Sequence, residues 1–282
     1  SLAGLAWWQS QKSLKSEITA LSASSEALLS SNRELDALIN AITTKRKLQN
    51  FVWVDSDIKN RALKNLEHAA HTVVEYNRLS GHDNSVWAVA FSPDGKTIAS
   101  ASADNTIKLW NLNGKLINKL KGHDKGVWAV RFSPDGQKIA SASADNTVKL
   151  WSLDGNELNT FTGHNDKVHA IAFSPDGKTI ASASADNTVK LWSLDGNELN
   201  TFTGHNDKVH AIAFSPDGKT IASASADNTV KLWSLDGNEL NTFTGHNDKV
   251  HAIAFSPDGK TIASASADNT VKLWSLDGNE LN

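Results

Sequence analysis

Between residues 9 and 72 the chain contains neither proline nor glycine, and apolar side chains recur at Leu14, Leu21, Leu28, Leu35 and Ile42, with Ile18 and Ile39 at the complementary positions. A seven-residue apolar period free of breakers predicts a helix with one buried stripe. Ser25 and Asn32 interrupt the complementary row, which favours packing against a neighbouring helix or domain over a free coiled coil. The basic run at residues 45–47 suits the negative end of that helix's dipole. An apolar joint, Phe51 to Val54, follows, and Asp55, Ser56 and Asp57 supply a cap and acids for a second helix that places Ile58, Ala62, Leu66 and Ala69 or Ala70 on one face. The pattern therefore predicts a helical pair over residues 1–72. Beyond it the period changes to short apolar runs bounded by turn residues. "VHAIAF" at 168–173 is followed by "SPDGK", "TIASASA", "DN", "TVKLW" and "SLDG", and "NELNTFT" completes a pattern of four antiparallel strands. Gly-His pairs fall at 81, 122, 163, 204 and 245, a constant spacing of 41 residues, as stacked supersecondary units require.

"GH", then "FSPDGKTIASASADNTVKLWS", with the pair about 28 residues ahead of Trp, resembles the WD-repeat family, whose units form the four-stranded blades of a β-propeller; the likeness covers residues 74–282 and recurs five times. It implies an all-β propeller of five four-stranded blades, at 81–121, 122–162, 163–203, 204–244 and 245–282, preceded by the α-helical segment. The aspartate that gives the family its name is replaced after Trp by Asn111 in the first copy and by Ser152, Ser193, Ser234 and Ser275 later. The resemblance also implies a structural hydrogen-bond chain in each blade: His82, Ser100, Asp104 and Trp110; His123, Ser141, Asp145 and Trp151; His164, Ser182, Asp186 and Trp192; His205, Ser223, Asp227 and Trp233; His246, Ser264, Asp268 and Trp274. The chemistry agrees, because a buried indole N–H needs an acceptor, a hydroxyl both accepts and donates, and an imidazole bridges hydroxyl to carboxylate.

"EYNRLSGH" at 75–82 matches "ELNTFTGH" at 157–164, so residues 74–80 read as the outermost strand of a blade whose other strands lie at the far end of the array. If the ring closes, they pair with the strand around Thr270 to Trp274; if the arc is open, that strand is an exposed edge available to another chain. Five copies are few for this family, and an excerpt of a longer array or an open arc is the expected state. Residues 163–203 and 204–244 are the same sequence, and 245–282 repeats it again. Copies this alike have not diverged into an asymmetric pocket, which favours a repeated, avidity-type contact over a shaped small-molecule site.

Charge narrows the partners. The net charge is −3, and acids outnumber bases only in the repeats, so they offer no footprint for nucleic acid. Absence of cysteine removes disulfides, thiolate metal sites and a cysteine nucleophile, leaving a cytoplasmic protein as the default. The chain has no methionine, even at position 1, and reads as an excerpt. The apolar run Leu2 to Trp8 is too short to span a bilayer; with Lys12 and Lys15 behind it, it would fit the end of a truncated membrane helix, the one route by which a membrane becomes a partner.

Three motifs carry a catalytic or ligand reading. Ser, His and Asp in hydrogen-bond order resemble a hydrolase triad, but five identical copies argue for structure, since catalysis normally uses one asymmetric site. "DGKT" at 94–97, 176–179, 217–220 and 258–261 echoes the end of a phosphate-binding loop, yet lies in a turn between strands with no following helix. His169, His210 and His251 occupy equivalent positions that are expected to be too far apart for three imidazoles to share one ion. No cofactor, metal or catalytic residue is therefore assigned. By resemblance those histidines, with Trp87 and Trp128 in the first two copies, face the propeller's recognition rim. Lys167, Lys208 and Lys249 stand two positions earlier, and Asp83, Asn165, Asn206 and Asn247 follow the Gly-His pairs. The reading is a non-enzymatic scaffold or sensing module that binds a protein or peptide at this rim, with Trp87 and Trp128 as its anchors. Residues 12–80 leading into the array are similar to the junction in bacterial signal-transduction NTPases of the NACHT or STAND type, where such an array is the sensor. The rivals are a propeller-based enzyme, a metal-binding protein using the rim histidines, and an engineered or excerpted array without a specific partner.

Overall fold

In the computed structural model, which describes residues 2–30, 34–49, 56–72 and 78–281, the chain divides into a helical unit, residues 1–78, and a repeat array, residues 79–282. Among the described residues the helical unit holds three helices rather than a pair: α1 (Leu2–Ser30), α2 (Glu34–Gln49) and α3 (Ser56–Thr72). The expected continuous stripe is therefore divided, with Leu14, Leu21 and Leu28 on α1 and Leu35 and Ile42 on α2. Serine competes for backbone hydrogen bonds and favours helix ends, and α1 ends on Ser30.

The buried positions are also smaller than expected. Ile18, Ser22 and Ser25 of α1 meet Ala37, Ala41 and Thr44 of α2 and Ala62, Asn65 and Ala69 of α3 as the buried set, whereas Ile39 and Ile42 are exposed. Small side chains let helix backbones approach closely, and polar ones are tolerated because they are bonded across the helices. Ser25 Oγ donates to Ala37 O at 2.8 Å, and Asn65 Nδ2 donates to Ser22 Oγ at 2.9 Å. Arg61 grips Glu26 with two N–H groups at 2.9 and 2.8 Å. No helix among the described residues is long and apolar enough to cross a membrane.

The array is five four-stranded antiparallel sheets in chain order, each a simple meander. Blade one runs Val86–Phe91, Thr97–Ser102, Thr106–Asn111, Leu116–Lys121, and blade five ends with Val250–Phe255, Thr261–Ser266, Val271–Ser275, Glu280–Leu281. The second-to-third strand turn places Asn105, Asn146, Asn187, Asn228 and Asn269 at φ between 67° and 72°, the left-handed conformation that asparagine tolerates best after glycine. Cores lie between blades. Ala99, Ala101, Ile107 and Leu109 of blade one bury against Val127, Val130, Ile139 and Trp151 of blade two, and three similar clusters follow along the array. The alanines leave room for the next blade's indole, which is why a large and a small residue alternate across each junction.

Among the described residues, apolar side chains at the first strand of blade one and the third strand of blade five are exposed where their counterparts in interior blades are buried. Val86, Val89 and Phe91 of blade one are 53%, 61% and 62% exposed, although Val127 and Val130 at the equivalent places in blade two are 0% exposed. Val271 of blade five is 69% exposed against 1% for Val230. Residues 78–80 belong to no strand, and residues 74–77 of the expected closing strand lie outside the described residues. Part of the edge expected to receive them is taken by the chain itself, since Leu273 pairs with Leu281 and Trp274 with Glu280.

Candidate functional site: the inner-strand rim

The four polar residues singled out in each blade converge. In blade one the Trp110 indole N–H donates to Ser100 Oγ at 2.8 Å, Ser100 Oγ lies 2.7 Å from His82 Nε2, and His82 Nδ1 lies 2.8 Å from Asp104 Oδ2. Trp151, Ser141, His123 and Asp145 repeat this, as do Trp192, Ser182, His164 and Asp186, Trp233, Ser223, His205 and Asp227, and Trp274, Ser264, His246 and Asp268. A proton on Nδ1 of each histidine matches every donor with an acceptor: indole to hydroxyl, hydroxyl to Nε2, Nδ1–H to carboxylate. Burial opposes ionisation of Asp186, but hydrogen bonds from His164, Thr188 and the Asn165 N–H hold its carboxyl well below the usual carboxylate range. The serines that would have to act as nucleophiles are buried, from 0% to 6% exposed, and each Oγ is already engaged by indole and imidazole. The chain locks the sheet's second and third strands to the Gly-His loop beside them.

That lock fixes the rim. The first strand of every blade carries a β-bulge: Val86 pairs with Ser102 and Ala88 with Ala101, so Trp87 is the extra residue. Trp128, His169, His210 and His251 sit at the same bulge in the later blades. A bulge re-aims the side chain of its extra residue, and five rings consequently line up from blade to blade. Trp87 and Trp128 stack with centroids 5.3 Å apart and planes 5° from parallel. Trp128 meets His169 edge-on at 5.0 Å, His169 meets His210 at 5.4 Å, and His210 meets His251 at 5.0 Å.

Neighbouring imidazoles therefore stand 5.4 and 5.0 Å apart between ring centroids. No group of three or more metal-ligating side chains among the described residues is placed to hold an ion. His169 Nε2 is buried without a hydrogen-bond partner. Burial, with His210 and Lys208 nearby, pushes this imidazole down to about 4. Burial, with His251 and Lys249 nearby, lowers His210 too. Lys167, Lys208 and Lys249 are exposed just outside the column. Their loops are pinned: the Lys167 N–H donates to Asp166 Oδ1 at 2.7 Å, and Ser184 Oγ donates to Asp166 O at 2.9 Å.

A further network was not visible in the pattern. Lys149, Lys190 and Lys231, two residues ahead of the tryptophans, are buried in the sheet, and Lys190 Nζ donates to Glu198 at 2.8 Å and to Thr201 at 2.8 Å. Lysine two places before Trp, with Glu eight places after that lysine, is the signal that could have found it. It ties the third strand to the fourth.

The family described as echinoderm microtubule-associated protein second β-propeller matches residues 127–281, and the WD domain, G-beta repeat family matches residues 74–111. Among curated proteins, the chain is 30% identical over 90 residues to Arabidopsis thaliana cell division cycle 20.6, cofactor of APC complex, a match covering 30% of this chain and 21% of that protein. It is 48% identical over 40 residues to the probable cytosolic iron-sulfur protein assembly protein CIAO1 homolog of Chlamydomonas reinhardtii, covering 14% and 11%. It is 57% identical over 42 residues to ribosome assembly protein 4 of Saccharomyces cerevisiae, covering 14% and 8%. The chain thus spans about a fifth or less of the length of these relatives.

Proposed function

Because this chain belongs to the WD-repeat β-propeller family, we propose that it is a protein-interaction module without catalytic activity of its own, docking a protein or peptide on the inner-strand rim. The observation that carries this reading is the column of five rings raised on identical bulges, beginning with the exposed Trp87. Aromatic rings on a fixed backbone give large contact area at small entropic cost. The exposed lysines beside the three histidines add attraction for an acidic edge on the partner. Relatives whose names describe a cofactor of a complex and assembly proteins support a scaffold role. The finer reading follows the NACHT and STAND resemblance: the array serves as the sensing arm of a larger signalling protein, and α1–α3 pass on the occupied state.

One experiment addresses both levels. Proteins captured from a lysate by chain 1–282 and by a Trp87→Ala, Trp128→Ala double variant are compared quantitatively, with circular dichroism verifying the fold. Loss of a defined subset with the double variant is the expected result; an unchanged set would sink rim docking. A partner recovered in this way is then added back while amide exchange is followed in α1–α3. Unchanged exchange there would remove the sensing role and leave the scaffold.

A further inference from the structure

The bulges on the rim fix more than contact area, because they hold two imidazoles at a distance at which both can reach one ion. His169 and His210 are the extra residues of the first strands of blades three and four. Each follows a fully buried valine, Val168 and Val209, so neither backbone position is free to drift. The loops just before them are pinned as well: Ser184 Oγ donates to Asp166 O and Ser225 Oγ to Asp207 O, both at 2.9 Å. In a tetrahedral zinc site the metal–nitrogen bond is about 2.0 Å, which sets each imidazole centroid about 3.1 Å from the ion and two such centroids about 5.1 Å apart. The rings of His169 and His210 are 5.4 Å apart, with planes inclined at 69°. Neighbouring ligands of a square-planar or octahedral ion would bring the centroids to about 4.5 Å, and a linear ion would spread them to about 6 Å, so the spacing selects a tetrahedral ion.

A second observation points the same way. His169 Nε2 is buried without a hydrogen-bond partner, and a buried polar atom left in that state is costly. Trp128 fills the blade-two side of His169 at 5.0 Å, which leaves His210 as the neighbour able to complete a site. Imidazole binds zinc as the neutral base, and burial lowers the proton affinity of both rings. The fixed charge around them is mixed: Asp166 and Asp207 favour a cation, whereas Lys167, Lys208 and Lys249 oppose it. Those lysines are exposed, so salt screens their opposition.

We propose that His169 and His210 form a two-imidazole zinc site on the rim, with the other two positions of the tetrahedron open to water. The site is pairwise, in keeping with the absence of a three-residue ligand group among the described residues. It goes beyond rim docking, which needs no ion.

Zinc titration of chain 1–282 is the test, with bound metal measured after equilibrium dialysis and the histidine ring nitrogens followed by NMR. Three variants, His169→Trp, His210→Trp and His251→Trp, each install the tryptophan that blade two carries at the same place, and circular dichroism verifies their fold; His169→Gln and His210→Gln serve as smaller replacements. The expected result is one Zn2+ per chain, with the ring nitrogens of His169 and His210 shifted. Binding should weaken at least about tenfold in the His169 and His210 variants and stay within about twofold in His251→Trp. That third variant matters because His251 stands 5.0 Å from His210 and is the alternative second ligand. Loss of binding with His251→Trp but not with His169→Trp would overturn the assignment. Unaltered binding in folded His169 and His210 variants, or no zinc bound by the unsubstituted chain at micromolar concentrations, would overturn it too. No partner is present in the dialysis, so its failure leaves rim docking standing, and failure of the capture experiment leaves the zinc site standing.

Discussion

At the residue scale the geometry separates groups that hold the blade from groups that face outward. Ser182 is 0% exposed and satisfies both the Trp192 indole N–H at 2.8 Å and His164 Nε2 at 2.8 Å. Ser182→Ala leaves that buried N–H without an acceptor, and a stranded buried donor costs about 1–3 kcal/mol. Urea denaturation should register that loss. Ser193→Ala in the outer turn, where the hydroxyl's contacts are long at 3.3 and 3.4 Å, should stay within about 0.5 kcal/mol. Equal effects at the two sites would refute the structural assignment. His169 makes the opposite kind of prediction, about pH. Burial, His210 and Lys208 lower its pKa to about 4, with Asp166 opposing and Lys167 adding to the effect, while an unfolded imidazole titrates near about 6.5. Between those values the unfolded chain binds a proton that the folded chain refuses. The contribution is therefore complete above about 6.5 and is lost as pH falls toward about 4. Melting temperatures of the unsubstituted chain and His169→Gln should draw closer in favour of the variant across that window. A difference independent of pH would show that the imidazole does not titrate in this way.

At the scale of elements, legibility depended on whether a feature belongs to one segment or to a relation between segments. The strands, the 41-residue period and the polar quartets were readable because each is written locally: apolar alternation for the sheet, Asp-Asn and Asp-Gly for the turns, and Ser, His and Asp at fixed offsets from Trp. The bulge at Trp87 and its equivalents was not readable, since a bulge exists only as a count of residues on one strand against its partner. Ring spacings along the rim were hidden for the same reason, being set by how closely successive blades pack. In the helical unit the apolar period misled because Leu35 and Ile42 continue the spacing of Leu14, Leu21 and Leu28 across the division between α1 and α2. The seam joins Ile18, which the apolar pattern marks, to Ser22, Ser25, Ala37, Ala41 and Thr44, residues that a search for large apolar side chains passes over. Small polar residues can be core when their hydroxyls bond to a facing backbone, as Ser25 Oγ does to Ala37 O.

At the scale of the whole molecule, the repeat array permits a comparison that ordinary folds do not, because nearly the same segment is present in different surroundings. "VWAVAF" at 86–91 and "VWAVRF" at 127–132 differ in one residue, pair with the same sequence of partners and carry the same bulge. They differ in their neighbours: Val127 and Val130 are sealed by blade one, whereas Val86 and Val89 face solvent. In a stacked repeat array, stability is a sum of each repeat's own folding free energy and its contacts with adjacent repeats. The first-strand hydrogen bonds of blade one should therefore open with less cooperation than those of blade two, although their local chemistry is the same. Amide hydrogen exchange at a dilution that keeps the chain single should give at least about tenfold lower protection at 86–91 than at 127–132. Equal protection would mean that the first strand of blade one is covered in solution and that the array closes on itself.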